Sequence, residues 1–401
     1  MEASRFFIVG SVAFRCYRNN NHGRMPSMKI LVATVTAGAG HLQAASALEE
    51  AWRALRPKDG IRKLDILDFT PRLYRKVYAE GYLRVVERAP ELYAYLFKKT
   101  DDPARVRKLT RLRRALARAA AGPFLEEVRR WRPSVVLCPH FLPLELLGGL
   151  AEKTPEGAAR PLAVCVVTDF EAHALWLEPC VDLYCVAAEE TKARLVARGV
   201  PPERILATGI PVSSKFSRKP DARALRRRLG LRGDLPLVLV LGGGFGVGPV
   251  TEALAHIDKA RKPLQTLVVA GRNESLRRRL SSQDRRHPSK VLGFVSNMHE
   301  LMSASDLIVS KPGGMTSSEA LALGRPLCVI DPIPGQEAAN SDFLLEHGAA
   351  VKVNRIEDLP FRLDKLLGSA ALAAMARRAA ALGRPQAARD VCRAALRRLK
   401  R

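Results

Sequence analysis

Twelve short apolar runs punctuate this chain, and nearly all of them lead into a stretch with helical periodicity. In the first half the runs fall at about 28–34, 61–68, 134–139, 162–169, 181–187 and 205–208. In the second half they fall at about 236–242, 265–270, 290–294, 306–310, 326–331 and 349–353. Runs of this length suit strands covered on both faces, and their alternation with helices predicts parallel sheets joined by crossovers. A helix is expected from His41 to Arg56, and a long charge-rich helical insertion over about 72–131. The segment Gly209-Ile210-Pro211-Val212-Ser213-Ser214 interrupts the rhythm between a strand and a charged helix. The fold class is therefore α/β, with two Rossmann-like domains facing each other across a cleft. The Arg-rich C-terminal helices are expected to close the second domain or to pack back on the first.

A chain of 401 residues with 47% apolar content is long enough for two such cores. No uncharged apolar run reaches the roughly 18 residues that a membrane-spanning helix needs. Phe6 to Phe14 is apolar and flanked by Arg5 and Arg15, as a signal sequence would be, but no small-residue cleavage site follows. Residues 1–27 are read instead as an extension or a mis-called start before the strand at Met28. The expected divisions are 28–210, 211–385 and a basic C-terminal helix over 386–401. The cysteines form no CxxC pair, and Cys138, Cys165, Cys185 and Cys328 sit in strand-like runs, as buried thiols of a reducing compartment would.

The net charge of +26 is concentrated. Residues 104–132 hold ten Lys/Arg against Glu126 and Glu127, and residues 371–401 hold nine against Asp390. Such blocks attract nucleic acid or anionic lipid, or reflect a coding bias toward Arg. Aromatics make up only 6%, which disfavours a single-strand nucleic-acid platform.

Chemistry concentrates at strand ends. Ser310-Lys311-Pro312-Gly313-Gly314-Met315-Thr316-Ser317-Ser318-Glu319 lies between an apolar strand and a helix, leaving bare N–H groups where a phosphate sits well. Glu319, one turn on, is placed to reach a ribose diol. Gly38-Ala39-Gly40-His41 follows the first strand; it lacks the third glycine and the following acid of a dinucleotide fingerprint. His41 at a helix start is either a solvated residue of a tight turn or a neutral imidazole able to take a proton from an alcohol. Asp169, His173 and Trp176 follow the fourth strand and read as a site cluster or as a cap and a packing residue. Gly242-Gly243-Gly244-Phe245-Gly246-Val247-Gly248-Pro249 permits close backbone approach to a ligand but matches no Walker A loop. No Asp-x-Asp is present, so a leaving diphosphate would be met by backbone N–H groups, a helix end and Lys311.

Taken together, these motifs resemble the diacylglycerol glycosyltransferases of the monogalactosyldiacylglycerol synthase and processive diacylglycerol glucosyltransferase group. More distantly, they resemble the peptidoglycan lipid-intermediate N-acetylglucosaminyltransferase. The resemblance runs from about Met28 to Val353 and also rests on Thr208 to Val212, Gly293 to Met298 and Pro332 to Asn340. It implies the GT-B fold and inverting, metal-independent transfer of a hexose from UDP-glucose or UDP-galactose to a diacylglycerol-type lipid. It implies no cofactor and no metal ligands. Phe294 and Val295 would flank the uracil, and Gly313, Gly314, Met315 and Thr316 would hold the diphosphate. Glu319 would hold the ribose, and Gln336 and Glu337 the sugar hydroxyls. Gly40, Gly243 and Gly244 would complete the donor site, with His41 as base and Asp169 and His173 as alternates or orienting groups. The 72–131 insertion would be either a helical hairpin over the sheet or a surface lying on an anionic bilayer, at the cytoplasmic face of the membrane. A polyprenyl-linked acceptor, or nucleic-acid binding through the basic helices, are the competing readings.

Overall fold

The computed structural model describes residues 27–36, 38–151, 160–218, 220–242 and 249–400. Side chains at 79–80, 82–84, 86–88, 105–107 and 109–111 are not described. The expected N-terminal extension lies outside the described residues, apart from its last residue.

All twelve expected strands form, and they build two six-stranded sheets. The first contains β1 (Lys29–Thr34), β2 (Gly60–Asp65), β3 (Val135–Cys138), β4 (Leu162–Val166), β5 (Leu183–Val186) and β6 (Ile205–Ala207), in the order β2-β1-β3-β4-β5-β6. The second contains β7 (Leu237–Leu241), β8 (Gln265–Val269), β9 (Ser289–Leu292), β10 (Leu307–Ser310), β11 (Leu327–Ile330) and β12 (Ala350–Val353), in the order β12-β11-β10-β7-β8-β9. Every pairing is parallel. Central strands such as Leu237–Leu241 are buried along their whole length, which is why they read as continuous apolar runs. The edge strand β2 buries only Ile61 fully and exposes the adjacent Arg62 and Lys63. It stops at Asp65 rather than near 68. The Asp65 carboxylate accepts from the Leu67 N–H and turns Ile66–Phe69 into a 3₁₀ cap.

Helices cover both faces. In the first domain these are α1 (Ala39–Leu55), α2 (Arg72–Arg88), α3 (Pro90–Thr100), α4 (Pro103–Trp131), α5 (Phe141–Ala151) and α6 (Glu189–Ala197). In the second they are α7 (Ala222–Arg228), α8 (Val250–Ile257), α9 (Glu274–Ser281), α10 (Met298–Ala304), α11 (Gly314–Ala322), α12 (Gln336–Glu346), α13 (Leu359–Leu366) and α14 (Ala370–Leu382). The insertion is α2–α4, and its arginines are not all solvated. Arg114 makes a buried ion pair with Glu178 at 2.6 Å, and Arg113 pairs with Glu145 at 3.0 Å. These pairs bolt α4 to the first sheet's cover, beside Ala117, Ala121, Phe124 and Val128.

The last helix, α15 (Ala387–Leu399), leaves the second domain and packs on the first. Val391, Cys392, Ala394 and Ala395 join Ile30, Val32, Leu48 and Trp52 in one core cluster. The chain thus passes between domains twice, near 208–214 and near 383–387, and the two passages touch. A Cβ on Gly209 would collide with Arg384 and Ala387, and the Ser217 hydroxyl donates to the Pro385 carbonyl at 2.9 Å. Among the described residues six cysteines, Cys180 and Cys392 besides the four in strands, are buried and unpaired. Among the described residues no helix is long and apolar enough to cross a membrane.

Candidate functional site

In each sheet the strand order reverses once, between β1 and β3 in the first and between β7 and β10 in the second. Parallel sheets bind ligands in the crevice at such reversals, beyond the strands' carboxyl ends. The two crevices face each other and merge into one cleft of about 900 Å³. Its walls include Gly40, His41, Asp169, Phe294, Val295, Gly313, Gly314, Met315, Thr316, Glu319, Gln336 and Glu337. Gly243 and Gly244 lie outside the described residues; Gly242, at the end of their strand, lines the cleft.

On the second domain's wall, β10 ends at Ser310 and α11 begins at Gly314, with Gly313 as an N-cap that offers no side chain to the first-turn N–H groups. Those donors and the positive end of the helix dipole face the cleft. Glu319 is 8% exposed, and burial alone pushes its carboxyl up to about 8. Glu337 is pushed up to about 7 by burial, against the opposing pull of the Ile333 N–H that it accepts at 2.8 Å. Lys311 pairs with Asp331 at 2.8 Å, and Asp331 holds a left-handed backbone with φ of 42°. Few non-glycine residues adopt that conformation, and aspartate is among those that tolerate it best. At the rim Phe294 is 66% exposed, with the Arg272 guanidinium 5.2 Å from its ring centre. An exposed aromatic in a cleft offers a flat base a stacking surface.

On the first domain's wall, His41 sits in the opening turn of α1. Its Nδ1 lies 2.8 Å from the Pro139 carbonyl and 3.2 Å from the Thr168 hydroxyl. A carbonyl can only accept, so Nδ1 carries the proton and Nε2 keeps its lone pair. Burial lowers the His41 pKa, while the Asp169 carboxylate and the Pro139 carbonyl pull it back up. The ring of His140 stands edge-on at 4.7 Å, and its own pKa is driven well down by burial and by His41. Burial raises Asp169, opposed by a 2.9 Å hydrogen bond from the Asn340 amide and by His41. Asn340 also accepts from the Phe170 N–H at 2.8 Å, so one buried amide of α12 clamps the loop after β4.

The walls meet closely. A Cβ on Gly314 would overlap the Thr168 carbonyl, and one on Gly40 would press Met315 at 3.3 Å. Gly314→Ala is therefore expected to pry the domains apart at a cost of about 1–3 kcal/mol, seen as a lower Tm with loss of transfer. An unchanged Tm with full activity would show that the contact opens without cost.

His173 does not join the others. It is absent from the cleft wall; its Nδ1 accepts from the Leu175 N–H, and its Nε2 lies 3.0 Å from the Phe97 carbonyl of α3. It fastens the insertion. Sequence reasoning assigned no role to His140 or Asn340. His140 had a usable signal, because Pro139-His140 directly follows β3 beside the first reversal. Asn340 closes the Pro332 to Asn340 motif, but its role was not legible, since its partners lie 170 residues or more away.

Comparison with known proteins gives the family and the fold. Residues 41–212 match the family "Monogalactosyldiacylglycerol (MGDG) synthase", and residues 223–382 match "Glycosyl transferases group 1". The processive diacylglycerol beta-glucosyltransferase of Bacillus cereus (strain AH187) is 31% identical over 348 residues, covering 84% of this chain and 85% of the relative. Among solved structures, MurG of Acinetobacter baumannii aligns with a TM-score of 0.58 at 18% identity, covering 93% of this chain and all of that one. The spinosyn rhamnosyltransferase SpnG aligns with a TM-score of 0.60 at 16% identity, covering 92% of this chain and all of that one. At these identities the structural likeness speaks for the fold alone, which is GT-B.

Proposed function

We propose a reaction for this chain from the premise that it belongs to the family of monogalactosyldiacylglycerol synthases and processive diacylglycerol β-glucosyltransferases. It is a UDP-sugar-dependent glycosyltransferase acting on diacylglycerol. The finer reading is a single inverting displacement that needs no metal, carried out on glucose or galactose at an anionic membrane surface. The observation that carries it is one cleft with a neutral imidazole on one wall and an uncapped helix N-terminus on the other.

The donor's uracil lies against Phe294 and Val295, its ribose diol donates to Glu319, and its diphosphate takes the N–H groups from Gly313 to Thr316. Gln336 and Glu337 meet the hexose hydroxyls. The free hydroxyl of diacylglycerol approaches Nε2 of His41, which accepts its proton as the oxygen attacks the anomeric carbon. The bond from that carbon to the diphosphate breaks on the opposite face, so the configuration inverts and UDP departs with the electron pair. The positive end of α11, together with Lys311, meets the charge that develops on the leaving group. Asp169 offsets the charge gained by His41.

Support for a membrane surface comes from α2–α4. Leu73 is 74% exposed and Leu116 is 61% exposed, and Val77, Leu92, Tyr95 and Leu96 are exposed as well, with Lys98, Lys99 and Lys108 on the same helices. Apolar side chains among cations suit an interfacial helix on anionic lipid, and that attraction weakens with salt. A cytoplasmic-face location follows from the same reading.

The test supplies diacylglycerol in vesicles with anionic lipid and each UDP-sugar in turn, with EDTA, at low and high salt. Glycolipid from one hexose donor in EDTA, with vesicle binding that falls as salt rises, is the expected result. Activity lost to EDTA and restored by a divalent cation would overturn the metal-free reading, and binding indifferent to salt would overturn the electrostatic one. UDP binding without product would move the search to another lipid acceptor.

A further inference from the structure

The sugar-contacting loop of the second domain is not shaped by that domain alone. Gly335 opens α12 with φ of 93°, and a Cβ there would lie 2.8 Å from the Phe97 ring of α3. The turn needs glycine for its backbone and for the aromatic laid across it. Four residues earlier on α3, the Tyr93 hydroxyl donates to Oε1 of Gln336 at 2.7 Å, across 243 residues of sequence. Tyr93 and Phe97 stand one turn apart with ring centres at 5.9 Å, so one face of α3 covers both residues of the loop.

That face is held from behind. The Phe97 carbonyl lies 3.0 Å from the His173 imidazole, whose ring packs 4.4 Å from that of Phe97. Just past the helix, Asp101 accepts from the Ala174 N–H at 2.8 Å and from both Arg198 guanidinium nitrogens at 2.7 Å. Burial opposes, but these donors together hold the Asp101 carboxyl below its usual range. Helix α3 is therefore a fixed part of the first domain, and Pro90 at its start lines the cleft. A glutamine amide on three rotatable bonds has no orientation of its own, and its oxygen and nitrogen ends ask opposite things of a sugar hydroxyl.

We propose that Tyr93 is a positioning residue for the donor hexose. It anchors the Gln336 amide at its oxygen and so fixes where that amide stands against the sugar. The inference rests on the reading of Gln336 as a hexose contact, and it makes recognition of the sugar a joint property of the two domains. On that reading UDP is held by Phe294, Val295 and the turn from Gly313 to Thr316, so its affinity is not expected to depend on Tyr93.

Tyr93→Phe removes one oxygen and leaves the ring packed. The expected result, with diacylglycerol vesicles and UDP-hexose, is a donor KM raised about three- to tenfold, the scale of one hydrogen bond. Turnover and the lipid KM should stay within about twofold, and calorimetric UDP affinity and Tm should be unchanged. Adding Tyr93→Phe to Gln336→Ala should cost nothing further, because the two act as a unit. A donor KM unmoved by Tyr93→Phe but raised by Gln336→Ala would overturn the role of Tyr93. A donor KM unmoved by Gln336→Ala would sink the reading of Gln336 itself. Equal losses of UDP affinity and Tm in Tyr93→Phe would make the tyrosine merely structural and overturn the proposal.

Discussion

His41→Ala is expected to lower turnover by about 10²–10⁴-fold, the usual worth of a positioned general base, while calorimetric UDP affinity stays within about twofold. The two readouts separate because His41 stands on the wall opposite the diphosphate-holding helix. The pH profile carries the same argument. A base works only while neutral, and burial lowers the His41 pKa below that of a free imidazole, so the residue is ready at pH 7. Activity should hold as pH falls past the ordinary histidine value and decline only when the lowered pKa is crossed. Asp169→Asn removes a charge that pulls the His41 pKa upward, so the acid limb should move to still lower pH. Turnover should fall as well, because the imidazolium formed during transfer loses its counter-charge. Full turnover in His41→Ala would remove the residue as base, and an acid limb moving to higher pH in Asp169→Asn would contradict the electrostatic coupling.

Glu319→Ala is expected to weaken donor binding by roughly 30- to 150-fold, the loss of about 2–3 kcal/mol of hydrogen bonding between hydroxyls and a charged group. The pH dependence gives a sharper test. With its carboxyl at about 8, Glu319 is largely protonated at neutral pH before the donor binds. Two ribose hydroxyls donate to the carboxylate form, so binding favours ionisation and expels a proton. Donor affinity should therefore rise as pH climbs toward about 8 and level off above it. Calorimetry in buffers of different ionisation heat would count the proton released. Glu319→Gln should abolish that release, and an unchanged affinity in Glu319→Ala would refute the ribose role.

The fold was legible because both sheets are parallel and covered on each face, so strands such as Leu237–Leu241 announce themselves as unbroken apolar runs. Boundaries were less legible where apolar residues outlast the pairing, as Ile66 and Leu67 do beyond Asp65. Within the site, what lies at one strand-to-helix junction could be read: Gly313 to Glu319 is contiguous, and so is Gly38 to His41. What arises between elements could not. His41 and His173 are the same residue type after strands of the same sheet, yet one lines the cleft and the other bonds to α3. Arg113 and Arg114 read as part of a cationic surface, but folding turns them onto Glu145 and Glu178. Asn340 and Tyr93 act across the domain boundary, a relation that no local pattern encodes.

The two chain passages between the domains have a mechanical consequence. A pair of bodies joined by one strand of chain can twist, slide and part. Joined by two strands that lie against each other, as Gly209 does against Arg384 and Ala387, they keep mainly a rotation about the line through the joint. The joint behaves as the spine of a book, with α15 glued to the opposite cover. Every turnover would retrace a single arc, returning Gly314 to Thr168 and the Gln336 amide to Tyr93 without any search over the orientations of two free bodies.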